Sequence, residues 1–500
     1  MQDATPSVRP LSILAKLTGA ELLIELWPVI LRVARLVAHF RRGSVSPEAM
    51  FQFETDLRRL LRELGRLIVQ WTVNHLEPHK RQEMPRLYIW EGEYYRRGGK
   101  SPRRNMNCLF GPIVFRRFCY QRLETLGRCL FPLEIQLGIV TGVATPALAD
   151  VVARLSADLT QQQVLDQLRL RDIGWGVRTL RKVTEAMAEA MSEHRHEAQV
   201  VQVLDWLRKA ASEKGPRRFI LSVGRDGVMV PVVKSESYRE AATATVSVMD
   251  GWGRRLGTVY LGQMPQAYQT TLSEELTRLL LDILGRWDGA LPRLVYVTDC
   301  GHHPTEYFEK VLAVMKNPRR PDQLLSWEWI VDYYHACLYV TQLAEAIFGP
   351  GREAFAWAAK QRRILKEKRG GVFRVLRSAG ALWAIRGLAG SEDSYFTAYM
   401  FLRDRTEKMD YVSYRRLRLP IGSGVTEAAC KTVFTQRLKQ SGMKWTIKGG
   451  RPIVMLRVIS LSGIWDKVRQ AMLRSSPTVT LPTPTHSSHR DAEMSRKIAV

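Results

Sequence analysis

Apolar residues recur at spacings of three and four from Phe51 through Leu57, Leu60, Leu61, Leu64 and Ile68, with Arg and Glu between them. Residues 48–76 therefore predict an amphipathic helix that ends near Glu77-Pro78. Upstream, residues 11–40 are apolar-rich but carry Lys16, Glu21, Glu25, Pro28, Arg32 and Arg35. Those charges fall too close together for a bilayer-spanning helix, so a pair of amphipathic helices is expected. From residue 103 to 137 the pattern changes. Ile113, Phe115 and Phe118 stand among basic residues, with Gly111-Pro112 and Gly127 as turns, which predicts a small β-rich element. Helical spacing returns at residue 145, where Pro146 suits a first turn. A short helix over 160–168, an Asp172-Ile-Gly-Trp-Gly turn and a second helix over 177–191 carrying Arg178, Arg181 and Lys182 follow. Together they resemble a helix-turn-helix, although an ordinary helical hairpin has the same outline.

A different rhythm starts at Arg218. Residues 219–223 and 228–233 read as two buried strands, and 244–249 and 258–261 continue the series. A helix over 271–287, a strand over 294–298, a helix over 304–315 and a strand over 327–331 come next, which fits a mixed α/β sheet. Residues 333–414 are almost all helical, and the Ser/Thr/Pro-rich tail reads as disordered. The expected organisation is a helical region over 1–95 and a β-rich element over 96–140, the latter a degenerate zinc ribbon. A helix-turn-helix-like region spans 141–205. A catalytic core spans 215–345 and 416–470, interrupted by an all-α insertion over 346–415, and a tail occupies 475–500. The fold class is α+β and multidomain.

Composition changes the picture of the partner. In 500 residues, 75 Lys and Arg against 49 Asp and Glu give a net charge of +26, while a hydrophobic fraction of 45% is that of a packed protein. Such a charge favours a polyanion, most often nucleic acid. Residues 361–380 hold seven basic residues, Arg362 and Arg363 among them, against the single acid Glu367. A solvated helix face normally mixes signs, so this points to phosphate. Residues 431–451, with Arg437, Lys439, Lys444 and Trp445, contain no acid, which predicts a DNA-gripping surface. Trp445 either stacks on a flipped base or anchors the core. Six cysteines without a C-x-x-C pair exclude a secreted disulfide scaffold, and Cys108, Cys119 and Cys129 lack the paired spacing of a zinc site. No P-loop, dinucleotide fingerprint, nucleophile elbow or His-Glu-x-x-His is present.

Three acids stand out. Asp226 follows the first strand in Ser222-Val-Gly-Arg-Asp-Gly-Val, Asp299 ends a later strand, and Glu427 opens a predicted helix in Gly422-Ser-Gly-Val-Thr-Glu-Ala-Ala-Cys-Lys. Each has a plain reading: Asp226-Gly227 as a hairpin turn, Asp299 as a helix cap, Glu427 as a favourable first-turn charge. Their order, two strand-end aspartates and then a glutamate beyond a helical insert, points instead to converging carboxylates that bind hard divalent metal. His302-His303 reads as a loop pair, because adjacent side chains rarely converge on one ion.

With Arg225-Asp-Gly-Val, Val331-Asp-Tyr-Tyr-His-Ala, the Gly422 motif and Arg437-Leu-Lys-Gln-Ser-Gly-Met-Lys-Trp, the chain resembles the RNase H-like DDE transposases of bacterial insertion sequences, of the ISKra-like group. The likeness covers 215–468, more weakly 103–190. It implies an RNase H-like core and Asp226, Asp299 and Glu427 as the catalytic, metal-binding triad. It further implies Mg²⁺ as the metal, with Mn²⁺ as substitute and zinc not expected. Asp332 and His335 match an Asp-x-x-His element with a catalytic part, His335 orienting a phosphate or shuttling a proton. The implied partners are double-stranded DNA, as element ends and target, and further copies of the chain in a homodimer or larger assembly. No membrane role is expected, and the implied location is the bacterial cytoplasm at the nucleoid. A structure-selective nuclease and a non-catalytic DNA-binding descendant are the alternatives.

Overall fold

The computed structural model describes residues 19–78, 81–100, 104–123, 129–213, 215–233 and 238–477. The expected tail over 475–500 thus lies mostly outside the described residues, and so does the start of the first apolar stretch. Two units divide the chain, residues 1–187 with 473–500, and residues 188–472.

In the first unit, α1 (Gly19–Arg42) is one helix that runs through Pro28, where two were expected. α2 (Pro47–Asn74) opens with Pro47 and with Ser46 accepting from the Ala49 N–H, a conventional N-terminus. Strand structure begins earlier than the expected boundary at residue 95. β1 (Leu87–Trp90), β2 (Glu93–Lys100), β5 (Phe118–Arg122) and β6 (Cys129–Leu130) form one antiparallel sheet, and β3 (Arg104–Cys108) pairs with β4 (Gly111–Phe115) in a hairpin. Cys108 lies in the hairpin and Cys119 and Cys129 in the other sheet, so the three thiols belong to two structures. After α3 (Pro132–Gln136) come α4 (Pro146–Asp158) and α5 (Gln161–Arg169), the latter started by a Thr160/Gln163 capping box. α6 (Val177–Ser212) does not stop near residue 191 or 205. No Gly or Pro interrupts it, so nothing local ends it earlier.

The second unit is built on one five-stranded mixed sheet. β7 (Ile220–Val230), β8 (Arg239–Met249) and β9 (Arg255–Gln263) form an antiparallel meander. β10 (Arg293–Thr298) lies parallel to β7, and β13 (Trp327–Val331) parallel to β10, giving the order β13-β10-β7-β8-β9. β7 corrects the sequence reading. The two expected strands are one, and Asp226-Gly227 is no turn: Asp226 pairs with Thr243 inside an eleven-residue ladder.

Alternation along β7 sends neighbouring side chains to opposite faces. Arg225 faces α7 (Thr270–Arg286), where its guanidinium donates to Ser273 Oγ at 3.0 Å. Gly224 and Asp226 face the segment that carries Glu427. Helices thus cover both faces, so successive residues of β7 and β8 are buried alike, Thr243, Thr245 and Ser247 among them.

β10 leads through Asp299 to α8 (His302–Tyr307), so His302 and His303 open a helix instead of lying in a loop. A small hairpin, β11 (Lys316–Asn317) with β12 (Arg320–Leu324), was not anticipated. From β13 the chain enters α9 (Tyr333–Phe348), α10 (Arg352–Glu367), α11 (Gly371–Arg386), α12 (Glu392–Arg403) and α13 (Tyr411–Arg416), the expected helical stretch. It returns to the sheet as α14 (Gly424–Ala429), a π-turn over Cys430–Thr435, and α15 (Gln436–Leu438). α16 (Ile447–Leu461) covers β9, and α17 (Trp465–Ser475) ends the described chain. No helix among the described residues is long and apolar enough to cross a membrane.

Candidate active site

The close approach of α14 to β7 depends on Gly224. A Cβ at that position would stand 2.1 Å from Thr426 Oγ1. Thr426 in turn shares a 2.8 Å hydrogen bond with buried Thr245 Oγ1, so a pair of threonines on small neighbours seats the helix on the sheet. This seating carries Glu427 and Cys430, one turn apart on α14 and the π-turn, to the face that displays Asp226. Gly224→Ala is expected to retain secondary structure, push α14 outward and cost about 1–3 kcal/mol of stability, the scale of an overpacked contact. Circular dichroism and thermal melts check it; an unchanged melting temperature would show that the contact is dispensable.

Asp226 is half-buried, and its carboxyl is pushed up from 3.8 to about 6. Burial is the largest cause, followed by the charge of Asp299, with a further contribution from Glu427. Two donors oppose this: the Gly227 N–H at 2.7 Å on Oδ1 and the Cys430 thiol at 3.3 Å on Oδ2. Burial and the neighbouring acids push the Cys430 thiol far up, so it remains a protonated donor. Asp299 lies in the turn after β10, where its Oδ1 accepts the Gly301 N–H at 2.9 Å. Gly301 is the cap of α8, so Asp299 is not. Glu427 Oε1 accepts from Ser423 Oγ at 3.3 Å.

Asp299 and Glu427 thus both act on Asp226, without the three forming one tight cluster. Among the described residues, the trio whose ligand atoms all lie within 4.8 Å of one another is His302, His303 and Glu306. The adjacent histidines therefore do converge, contrary to the sequence reading, but Glu306 already pairs with Lys310 at 2.6 Å. Asp226, Asp299 and Glu427 form no such group among the described residues. The donor set is all carboxylate oxygen, which fits Mg²⁺ or Mn²⁺.

Asp332 takes a different part from the expected catalytic one. It is 1% exposed and caps α9, accepting from the N–H groups of Tyr334 at 2.5 Å and His335 at 3.0 Å. Its other oxygen accepts the Ser423 N–H at 2.5 Å and the Ser423 hydroxyl. With four donors on two oxygens, Asp332 ties α9 to the approach of α14 and is a positioning residue. His335 stands edge-on to Tyr339 and Phe401, with ring centroids at 5.4 and 5.8 Å, and makes no hydrogen bond to the three acids among the described residues.

Several expected DNA contacts are also reassigned. Arg437 is 1% exposed, with its guanidinium 5.2 Å from the centre of the Trp445 ring. Trp445 Nε1 donates to Leu438 O at 3.0 Å, and the Trp445 backbone pairs with Pro231 and Val233, so this tryptophan is an anchor. Arg362 turns inward to Thr341 of α9. Arg363 is exposed but paired with Glu367 at 3.0 Å. Lys439 and Lys444 remain exposed, as do Arg178, Arg181 and Lys182 in the first turns of α6.

Three residues of the centre escaped the sequence reading. Arg225 is 2% exposed beneath Asp226 on the other sheet face, and burial pulls its guanidinium below the usual range. Strand alternation alone would have placed it there. Cys430 follows Glu427 at the helical spacing of three. Gly224 carried no signal until its neighbour across the interface was known.

Fold and centre together define a mixed α/β protein in which half-buried Asp226 and Asp299 and exposed Glu427 gather at the sheet. No protein-family model and no curated protein matches the sequence.

Proposed function

We propose that the chain is a DNA transposase acting through an RNase H-like core, with Asp226, Asp299 and Glu427 as its triad. The observation that carries this reading is the rise of the Asp226 carboxyl through burial and the charges of Asp299 and Glu427. These three groups come from a strand interior, a strand end and a helix beyond an all-α insertion. The meander followed by two parallel strands supports the RNase H-like reading.

Mg²⁺ or Mn²⁺ bound by the three carboxylates would supply the positive charge that stabilises a phosphodiester under substitution. The chain's own residues do the rest. Asp226 and Glu427 are held to one face by Gly224 and Thr426. The Cys430 thiol and the Gly227 N–H fix the two oxygens of Asp226. Exposed Lys439 and Lys444 offer phosphate contacts beside the centre. Hydrolysis at the element end and attack of the freed 3′-OH on target DNA are both phosphodiester substitutions, so one centre serves both.

The test is a plasmid bearing the DNA that flanks the gene, incubated with the protein and Mg²⁺, with broken ends and joints mapped. Ends with joints support a transposase. Ends without joints favour a nuclease, and binding without breakage favours a DNA-binding descendant.

For the helix-turn-helix, Arg178, Arg181 and Lys182 share one exposed face of α6 by their spacing of three and four. Replacing all three with Ala is expected to weaken binding to the flanks and to reduce the log–log salt slope by roughly two to three. An unchanged slope would remove this face from the interface.

A further inference from the structure

α1 carries two apolar seams, and the chain covers one of them. Leu22, Leu26, Val29, Val33, Leu36 and Phe40 recur at alternating spacings of four and three. α2 packs along this seam: Leu26 and Val29 are buried, and Phe40 stacks on Phe53 with ring centroids at 4.5 Å. Ala20, Ile24, Trp27, Leu31, Ala34 and Ala38 repeat the same spacing two positions away. Two positions are about 200° around a helix, so the second seam lies on the side away from α2. It is open: Ile24 is 57% and Trp27 56% exposed, and Leu31 and the flanking Leu23 are exposed as well. Apolar residues scattered singly over a surface need no explanation, but a seam of period 3.5 is the pattern by which one helix packs along another.

The seam itself shows which helix fits. Its large side chains, Ile24 and Trp27, lie toward the N-terminal end, and its small ones, Ala34 and Ala38, toward the C-terminal end. Laid antiparallel on a second copy, with the two-fold axis near residue 29, it sets Ile24 against Ala34 and Trp27 against Leu31. Large then meets small, as close packing requires. Laid parallel, it sets Trp27 on Trp27 and leaves Ala34 facing Ala34.

Charge selects the same arrangement. With Ile24, Leu31 and Ala38 as heptad a positions and Ala20, Trp27 and Ala34 as d, exposed Glu21 and Arg35 both fall at e. Position e faces e across an antiparallel pair and g across a parallel one. An antiparallel pair therefore brings Glu21 beside Arg35 of the second copy, twice by symmetry. A parallel pair would bring Arg35 beside Ile30 instead.

We infer that the chain self-associates without DNA, two copies pairing antiparallel along residues 20–38 on the outer face of α1. The inference uses no residue of the acidic centre and stands apart from the transposase reading.

The test is sedimentation equilibrium of the full chain, freed of nucleic acid, over a range of concentrations. Wild type is expected to reach twice the monomer mass. Trp27→Glu changes an exposed side chain, so it should keep the wild-type circular dichroism while weakening self-association roughly a hundredfold. Glu21→Arg and Arg35→Glu should each weaken it roughly tenfold, and the two together in one chain should restore it. A wild type that stays monomeric at every concentration overturns the inference. So does a dimer that survives Trp27→Glu. Charge reversals whose combination fails to restore pairing overturn the antiparallel arrangement.

Discussion

Asp226→Asn is expected to abolish metal-dependent strand breakage and, in the absence of divalent metal, to raise the melting temperature. The first effect is on the order of a thousandfold, the scale lost when a group that manages transition-state charge is removed. The second follows from the position of the carboxyl, pushed from 3.8 to about 6 in the folded chain. At roughly 1.4 kcal/mol per tenfold, ionised Asp226 costs the metal-free fold about 3 kcal/mol at pH 7.5. The sign is that of an acid whose folded value is raised. Its penalty is complete above about 6, shrinks as the pH falls, and vanishes below 3.8. Wild type and Asp226→Asn should therefore differ most in EDTA at pH 7.5 and converge toward pH 4. Mg²⁺ should close the gap at pH 7.5 by stabilising wild type alone. Thermal melts at three pH values, with and without Mg²⁺, check this. Equal melting in EDTA at pH 7.5 would mean that ionised Asp226 carries no penalty, from burial or from its neighbours, in the folded state.

The same carboxylate shows how far the sequence could be read. Strand, helix and insert followed one another as periodicity predicted, because each depends on local pattern. Asp226-Gly227 looked like a turn because Asp-Gly favours one locally. What overrides that preference is the ladder to β8, which pairs Asp226 with Thr243, a partner defined only by the folded sheet. Charge misled in a similar way. Arg437 and Arg362 stand in basic runs that point to the surface, yet one lies under Trp445 and the other reaches Thr341. A long side chain can turn inward wherever an acceptor or ring awaits it, and sequence shows neither. The acids themselves were legible from their order along the chain, two near strands and one beyond a helical stretch. Their supports were not, because Gly224, Cys430 and Arg225 act through contacts across elements.

Asp332 is where a residue of the expected chemistry becomes one of support, and the two roles predict different losses. Its carboxylate collects the Tyr334 and His335 N–H groups at the start of α9 and both donors of Ser423. Removing it strips a helix cap, worth about 1 kcal/mol, and leaves a buried Ser423 N–H without its acceptor, worth about 1–3 kcal/mol. Asp332→Ala should therefore cost roughly 3 kcal/mol of stability. Ser423 also donates to Glu427, so the loosened segment should lower breakage by roughly a hundredfold even below the melting temperature. Asp332→Asn keeps one acceptor oxygen for the cap but sets an amide N–H₂ against the Ser423 donors. It should recover part of the stability and little of the activity. Ser423→Ala leaves the backbone cap intact and removes the hydroxyl shared between Asp332 and Glu427, so it should lower activity with a small stability loss. Thermal melts and Mg²⁺ titrations of breakage on the three variants separate the roles. A positioning residue moves stability and maximal rate while the Mg²⁺ midpoint stays near wild type. A metal ligand would shift that midpoint in Asp332→Asn with stability unchanged, and that outcome would return Asp332 to the chemistry.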